Sequence, residues 1–388
     1  MKTLEILDRL IAFPTVSRDP NRELIAFVAD LLAAHGVASE IIATPDGRKA
    51  NLYATIGPTD RPGILLSGHT DVVPVDGQAW SADPFRLRVA DGRAYGRGAA
   101  DMKGFLACAL ALAQRAAAQD LAVPLHLAFS HDEEVGCLGV RSLIERLAQV
   151  PIRPRMCIIG EPTSMRIATG HKGKLAARAT CCGVEGHSAL APKALNAIHL
   201  ACDFVGVLRA GQERLAAQGP RDDDYDIPYT TLHAGVIAGG TALNIVPNRC
   251  TVDFEIRNVA QDDASAILRG LMDEAALLVA ARRVEFPQAD IAVDVVNAYP
   301  GLATPPDAEV VSFVRALVED PTTFKVAFGT EGGLFDGALA IPTVVCGPGS
   351  MDQGHKPDEF VALDQLAACD RMMDRLLARL SAGPSPSL

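Results

Sequence analysis

Four short apolar runs constrain the fold more than any other feature of the chain. Ile64–Leu66, Leu125–Phe129 (interrupted by His126), Met156–Ile159 and Thr343–Cys346 are each too short for a helix, and polar or glycine-rich segments follow each of them. Near-continuous apolar runs of this length suit strands buried on both faces, as in a parallel sheet covered by helices. Helical patterns flank them. In DPNRELIAFVADLLAAHG, Leu24, Phe27, Val28, Leu31 and Leu32 share one face, with Asp19 expected as the cap, Pro20 at the first position and Gly36 at the close. In MKTLEILDRLIAF, Leu4, Leu7, Leu10 and Ile11 form the apolar stripe of an amphipathic helix. The expected class is α/β with a mainly parallel central sheet.

Between residues 174 and 298 the pattern changes. KLAARATCCGV reads as a strand, NAIHLACDFVGVLRAGQERLAAQ as a helix, TTLHAGVIAG and NRCTVDFEIR as strands, ASAILRGLMDEAALLVAARR as a helix and DIAVDVVNAY as a strand. Strand-helix-strand-strand-helix-strand is the ferredoxin-like split βαβ order. The expected organisation is therefore a larger domain formed by 1–173 and 299–388, with a small α+β domain, 174–298, inserted into it. The Ala-rich stretch after Asp101 is a good helix former, and the tail from Ser381 to Leu388 is expected to fray.

Composition bounds the partners. With 49% hydrophobic residues in 388, the chain can build a large core. A net charge of -11 argues against nucleic acid or an anionic membrane as partner. No apolar run reaches the roughly eighteen residues of a membrane span. Glu5, Asp8 and Arg9 interrupt the N-terminal apolar pattern, unlike a signal peptide. The nine cysteines are odd in number and contain no C-x-x-C pair, so the expectation is a reduced, cytoplasmic protein.

The candidate chemistry lies just after the apolar runs: His69 and Asp71 in SGHTD, Glu133 and Glu134 in SHDEEVG, Glu161 in IIGEP, and His355 in the loop GPGSMDQGHKPDEF. Asp101 precedes the Ala-rich helix. Each has an ordinary explanation by itself. Asp101 suits a helix cap, the two glutamates suit a solvated turn, and His355 sits among charged neighbours. Together they occupy the carboxyl ends of the strands, where open α/β sheets collect their ligands. Imidazoles and carboxylates are zinc ligands, and an aspartate can bridge two ions. Asp71 is placed to orient His69. Adjacent Glu133 and Glu134 point apart, which suits one ligand and one free carboxylate that takes a proton from water. Competing motifs are missing: no G-x-x-x-x-G-K-[ST], no G-x-S-x-G and no H-E-x-x-H, while GRGAAD lacks the third glycine of a dinucleotide fingerprint.

SGHTDVVPV, YGRGAADMKG, SHDEEVG, IIGEP and GHKPDEF, in this order, resemble the M20 family of dinuclear zinc amidohydrolases. The resemblance spans essentially the whole chain and implies two divalent ions, zinc or cobalt. It implies His69 and Glu161 on one ion, Glu134 and His355 on the other, Asp101 bridging, Glu133 as general base and Asp71 orienting His69. It also implies homodimerisation through the insert, with His187 of GVEGHSALAP reaching the partner's site, and substrate contacts from Asn244, Gly329 and Thr330. Arg257 in DFEIR offers a fork of donors for a substrate carboxylate, or else makes a surface ion pair. The implied reaction is hydrolysis of an N-acyl amino acid. SHDEEVGCLGVRSL, YPGLATP and FGTEGGLF are nearest to the branch that removes acetate from N2-acetyl-L-ornithine, although Gly332 and Gly333 stand where that branch suggests an alanine. Desuccinylation of succinyl-diaminopimelate, aminoacylase and dipeptidase reactions are the alternatives within the family.

Overall fold

The apolar runs extend into the strands Ile64–His69, Leu125–Ser130, Met156–Pro162 and Thr343–Gly347 of a computed structural model that describes residues 1–382. Ile64–His69 lies between Leu125–Ser130 and Met156–Pro162 and is parallel to both, and Thr343–Gly347 runs parallel to Met156–Pro162 on its other side. Every residue of the four strands is buried, which accounts for their lack of alternation. Ala50–Ile56 and then Ser39–Ala43 continue the sheet antiparallel beyond Leu125–Ser130.

The chain divides into two units. The larger comprises Met1–Gly170, Leu302–Lys325 and the chain from Thr330 on; the smaller comprises His171–Gly301 and Val326–Gly329. In the larger unit, helix Gly104–Ala116 packs against helices Thr3–Ile11 and Leu363–Ala382, and nearly all of its residues are buried. Alanine dominates this helix because close packing leaves little room beyond a methyl group. Helices Val140–Ala148 and Gly332–Leu339 pack on each other and on the sheet.

Three local expectations are corrected. In the first helix Leu4 is exposed and Ile6 takes the buried place beside Leu7, Leu10 and Ile11, since i, i+4 and i+5 from Ile6 continue one face. The second helix spans Arg22–Ala33, so Asp19 is not its cap and Pro20 is not its first residue. Asn21 precedes it, but its amide is committed to the main chain of Ala50 at 2.9 Å in both directions and to Thr70 Oγ1. The C-terminal helix continues through Ser381 and Ala382, which were expected to fray. The rest of that tail lies outside the described residues.

The smaller unit has a four-stranded antiparallel sheet in the order Thr231–Gly239, Arg249–Arg257, Lys174–Cys182, Asp290–Tyr299. Helices Ala197–Gln218 and Ala264–Arg283 cover one face. Asn196 and Asp263 cap these helices by accepting from the main-chain N–H groups of Ile198 and Ser265. Burial alternates along Lys174–Cys182, with Leu175, Ala177, Ala179 and Cys181 inward beside Phe204, Phe254 and Ile256. Val236, Ile237, Val295 and Val296 on the two edge strands are exposed. No described helix is long and apolar enough to cross a membrane, and all nine cysteines are free.

Candidate metal centre

His69 ends its strand and is 1% exposed. Its Nδ1 lies 2.9 Å from the main-chain carbonyl of Asp71. A carbonyl only accepts, so Nδ1 carries a proton there and Nε2 is the nitrogen turned toward the carboxylates. Nε2 faces Asp101 Oδ1 at 3.0 Å and Glu161 Oε1 at 3.5 Å. Beside it, Gly68 leaves room for the Met102 side chain, since a Cβ there would fall 2.5 Å from Met102 Cε.

Asp101 belongs to a five-residue π-helical stretch, Ala99–Lys103, that precedes helix Gly104–Ala116. It does not cap that helix, and its non-helical backbone turns the carboxylate into the site. Its second oxygen, Oδ2, is 3.2 Å from His355 Nε2, so the two oxygens face two different imidazoles. His355, with φ of 62°, also lies 3.1 Å from Glu134 Oε2. His69, Glu133 and Glu161 bring one ligand atom each within 4.8 Å of one another, and so do His69, Asp101 and Glu134. The two adjacent glutamates therefore do diverge, one into each cluster.

Asp71 differs from expectation in how it meets His69. Its carboxylate stays 3.7 Å from Nδ1, beyond hydrogen-bond reach, and instead accepts from Ser17 Oγ at 2.7 Å, Glu133 N at 3.1 Å and Glu134 N at 3.4 Å. Its main chain orients the histidine, and its side chain fixes the turn that carries both glutamates.

The electrostatics are those of crowded, buried anions. Burial, followed by the charge of Asp101, lifts Glu161 to about 8 and Glu134 to about 7. Burial and Glu161 push Glu133 well above the carboxylate range. Burial also acts to raise Asp101, but the bonds to His355 and His69 outweigh it and hold that carboxyl low. Those to Asp101 and Glu134 raise His355 to about 10. Among the described residues no lysine or arginine pairs with Asp101, Glu133, Glu134 or Glu161, and Glu134 Oε1 is buried without a hydrogen-bond partner. An uncompensated set of oxygen and imidazole donors fits divalent cations, which supply the missing positive charge.

Two nearby groups were not anticipated. Cys137 donates its thiol to Glu133 Oε1 at 3.2 Å. Glu331, 1% exposed, accepts from Ser130 Oγ, and burial lifts it to about 7. Its position beside Thr330 in FGTEGGLF was the only sequence signal for it. Thr330 is buried in the larger unit, where its Oγ1 accepts from Gly332 N at 3.0 Å.

The remaining candidates lie in the smaller unit. Exposed His187 pairs with Ile245, its Nδ1 accepts from Ala189 N at 3.1 Å, and Ser188 N donates to the Asn244 carbonyl at 3.1 Å. Arg257 gives Nε to Glu255 at 3.0 Å and Nη1 to the Tyr299 hydroxyl at 3.2 Å. Gly329 lies against that hydroxyl, where a Cβ would come within 2.2 Å.

Residues 65–379 match the profile of peptidase family M20/M25/M40. Acetylornithine deacetylase of Pasteurella multocida (strain Pm70) is 34% identical over 391 residues, covering 98% of each chain. Among solved structures, an M20 family metallo-carboxypeptidase from Sulfolobus solfataricus aligns with TM-score 0.79 at 19% identity, over 97% of this chain and 98% of that one. A dinuclear metal binding peptidase of the M20 family from Bacillus subtilis aligns with TM-score 0.67 at 14% identity, over 98% of both chains.

Proposed function

Because the chain belongs to peptidase family M20/M25/M40, we propose that it is a metal-dependent amidohydrolase that cleaves N2-acetyl-L-ornithine to L-ornithine and acetate. The observation that carries the reaction type is the convergence of His69, Asp101, Glu134, Glu161 and His355 around uncompensated buried oxygens, with Glu133 beside them. The substrate rests on the relative that matches over nearly its full length.

His69 and Glu161 would hold one ion, Glu134 and His355 the other, and Asp101 would touch both. Two zinc ions suit these donors, and cobalt is accommodated by the same set. When bound, they supply Lewis acidity that acidifies water and polarises the amide carbonyl. Glu133 takes a proton from the attacking water as its oxygen bonds to the carbonyl carbon. The C–N bond then breaks, and Glu133 returns the proton to the leaving nitrogen. The Cys137 thiol and the Asp71-anchored turn hold Glu133 in place for both transfers. Arg257, beside Tyr299 and Gly329, offers a cation for the substrate α-carboxylate, and Asn244 and Thr330 complete the substrate contacts.

The smaller unit is the dimerisation domain in this proposal. Its exposed Val236, Ile237, Val295 and Val296 suit a two-fold contact, and His187 of one chain donates to the developing oxyanion in its partner. Free cysteines throughout suit a reducing compartment such as the cytoplasm. Turnover of N2-acetyl-L-ornithine, N-acetylmethionine, succinyl-diaminopimelate and several dipeptides tests the assignment. The highest kcat/KM is expected for acetylornithine, and a higher value for another member of the panel reassigns the substrate.

A further inference from the structure

Arg97 and Glu359 are buried to within 1% and face each other, with Arg97 Nη1 donating to Glu359 Oε2 at 2.6 Å. Apolar side chains of equal volume would pack there as well or better, so stability alone does not account for two charges in the interior. Their remaining bonds do. Glu359 Oε1 accepts the main-chain N–H of Ala100 at 2.9 Å and of Asp101 at 3.1 Å. Both belong to the irregular stretch Ala99–Lys103, whose geometry aims the Asp101 carboxylate. Arg97 Nη2 donates to Gln78 Oε1, and Gln78 Nε2 donates to the main-chain carbonyl of His355 at 3.0 Å. Arg97 also reaches the carbonyls of Lys356 and Pro74 at 3.4 and 3.5 Å, and its guanidinium lies 5.0 Å from the centre of the Trp80 ring.

A continuous chain of bonds thus runs from the backbone of Asp101 through Glu359, Arg97 and Gln78 to the backbone of His355. Its two ends carry two of the three side chains assigned above to the second ion. We propose that Glu359, Arg97 and Gln78 are positioning residues that set Asp101 and His355 in register for that ion. This clamp rests on the assignment of Asp101 and His355 as ligands. It acts mainly on that position, because the first ion shares only Asp101 with it and keeps His69 and Glu161, which are placed by the strands Ile64–His69 and Met156–Pro162, whose register does not involve the clamp. The division of labour follows from the elements: strands preset the first position, whereas the second is built on an irregular turn and a loop that need an added fastening.

The experiment is zinc binding to the full chain, read by competition with a chromophoric chelator, with the visible spectrum of the cobalt-loaded chain reporting each position. Glu359→Gln keeps the shape but offers one acceptor oxygen where three donors converge. The second ion, which loses the register of two ligands, is expected to bind about 10–100-fold more weakly, and the first, which shares only Asp101, to weaken clearly less. Removing one charge of a buried pair can unfold a chain. The double variant Arg97→Gln, Glu359→Gln removes both charges at similar shape, and Gln78→Ala, at the partly exposed end, weakens the second ion several-fold. Arg97→Lys, which keeps the charge, retains more affinity than Arg97→Met. Unchanged affinities in the folded variants overturn the clamp, as does equal weakening of both ions in step with a lower melting temperature of the metal-free chain. Should neither Glu359 variant fold, Gln78→Ala decides by the same criterion. Asp101→Asn separates the two claims: if it binds two ions like the parent chain, the ligand assignment itself is wrong, whatever the clamp variants do.

Discussion

At the carboxyl ends of the parallel strands, Asp101, Glu133, Glu134 and Glu161 are largely buried together, with two imidazoles as their nearest positive groups. On the inserted unit, Arg178 pairs with Asp253, Arg214 with Glu274 and Arg283 with Asp290 in the open, where solvent screens each pair. Both regions are rich in charge, yet of the two only the first pushes carboxyls, those of Glu133, Glu134 and Glu161, toward neutrality and leaves an oxygen without a partner. Burying like charges is unfavourable unless a cation joins them, so that region is organised around what it binds. The surface pairs, screened by solvent, contribute little by comparison.

The largest effect that tests this contrast comes from its two adjacent glutamates. Glu133→Gln is expected to keep metal content while turnover falls by about 10²–10⁴-fold, since only the proton carrier is lost. Glu134→Gln is expected to lose metal. Equal metal content and equal turnover in the two would erase the distinction between base and ligand. Next comes the insert's expected contribution at the developing oxyanion. His187→Ala should lower turnover about 10²–10³-fold with metal content unchanged. Refolding a mixture of His187→Ala and Glu133→Ala chains should return about a quarter of parental activity, because each mixed dimer contains one site with both residues intact. No recovery would place His187 in its own chain's site, and parental turnover of His187→Ala by itself would place it outside the chemistry.

Asp71→Ala sharpens the comparison within the site. The bond from His69 to the main chain survives, whereas the turn bearing Glu133 and Glu134 loses its acceptor. Turnover is expected to fall about 10–100-fold, and parental turnover would mean that the turn holds both glutamates without this carboxylate. The smallest effect belongs to the exposed pair. Arg178→Ala should leave turnover within about twofold and lower the melting temperature by about 2 °C or less. A larger shift would mean that the insert also depends on its charges.

Much of this was legible in the sequence because burial on both faces leaves an uninterrupted apolar run, and the four parallel strands produced four such runs. The helices and strands of the insert were legible in their strand-helix-strand-strand-helix-strand order, whereas the caps Asn196 and Asp263 emerged only with the structure. What stayed hidden depended on contacts distant in sequence. Asn21 looks like a neighbour of a cap until Ala50 claims its amide, and nothing around Asp71 reveals that its carboxylate turns to Glu133 and Glu134 while its carbonyl takes His69. Glu331 and Cys137 were missed because single polar residues in short loops carry no periodicity. The motifs around His69, Asp101 and Glu161 marked the site, but the bonds that aim their side chains are tertiary.

The most direct test is metal removal and return. The chain is expected to hold about two zinc ions, to lose hydrolysis of N2-acetyl-L-ornithine when a chelator strips them, and to regain it when zinc or cobalt is restored. Hydrolysis that continues undiminished in protein shown by elemental analysis to be free of metal would contradict the account.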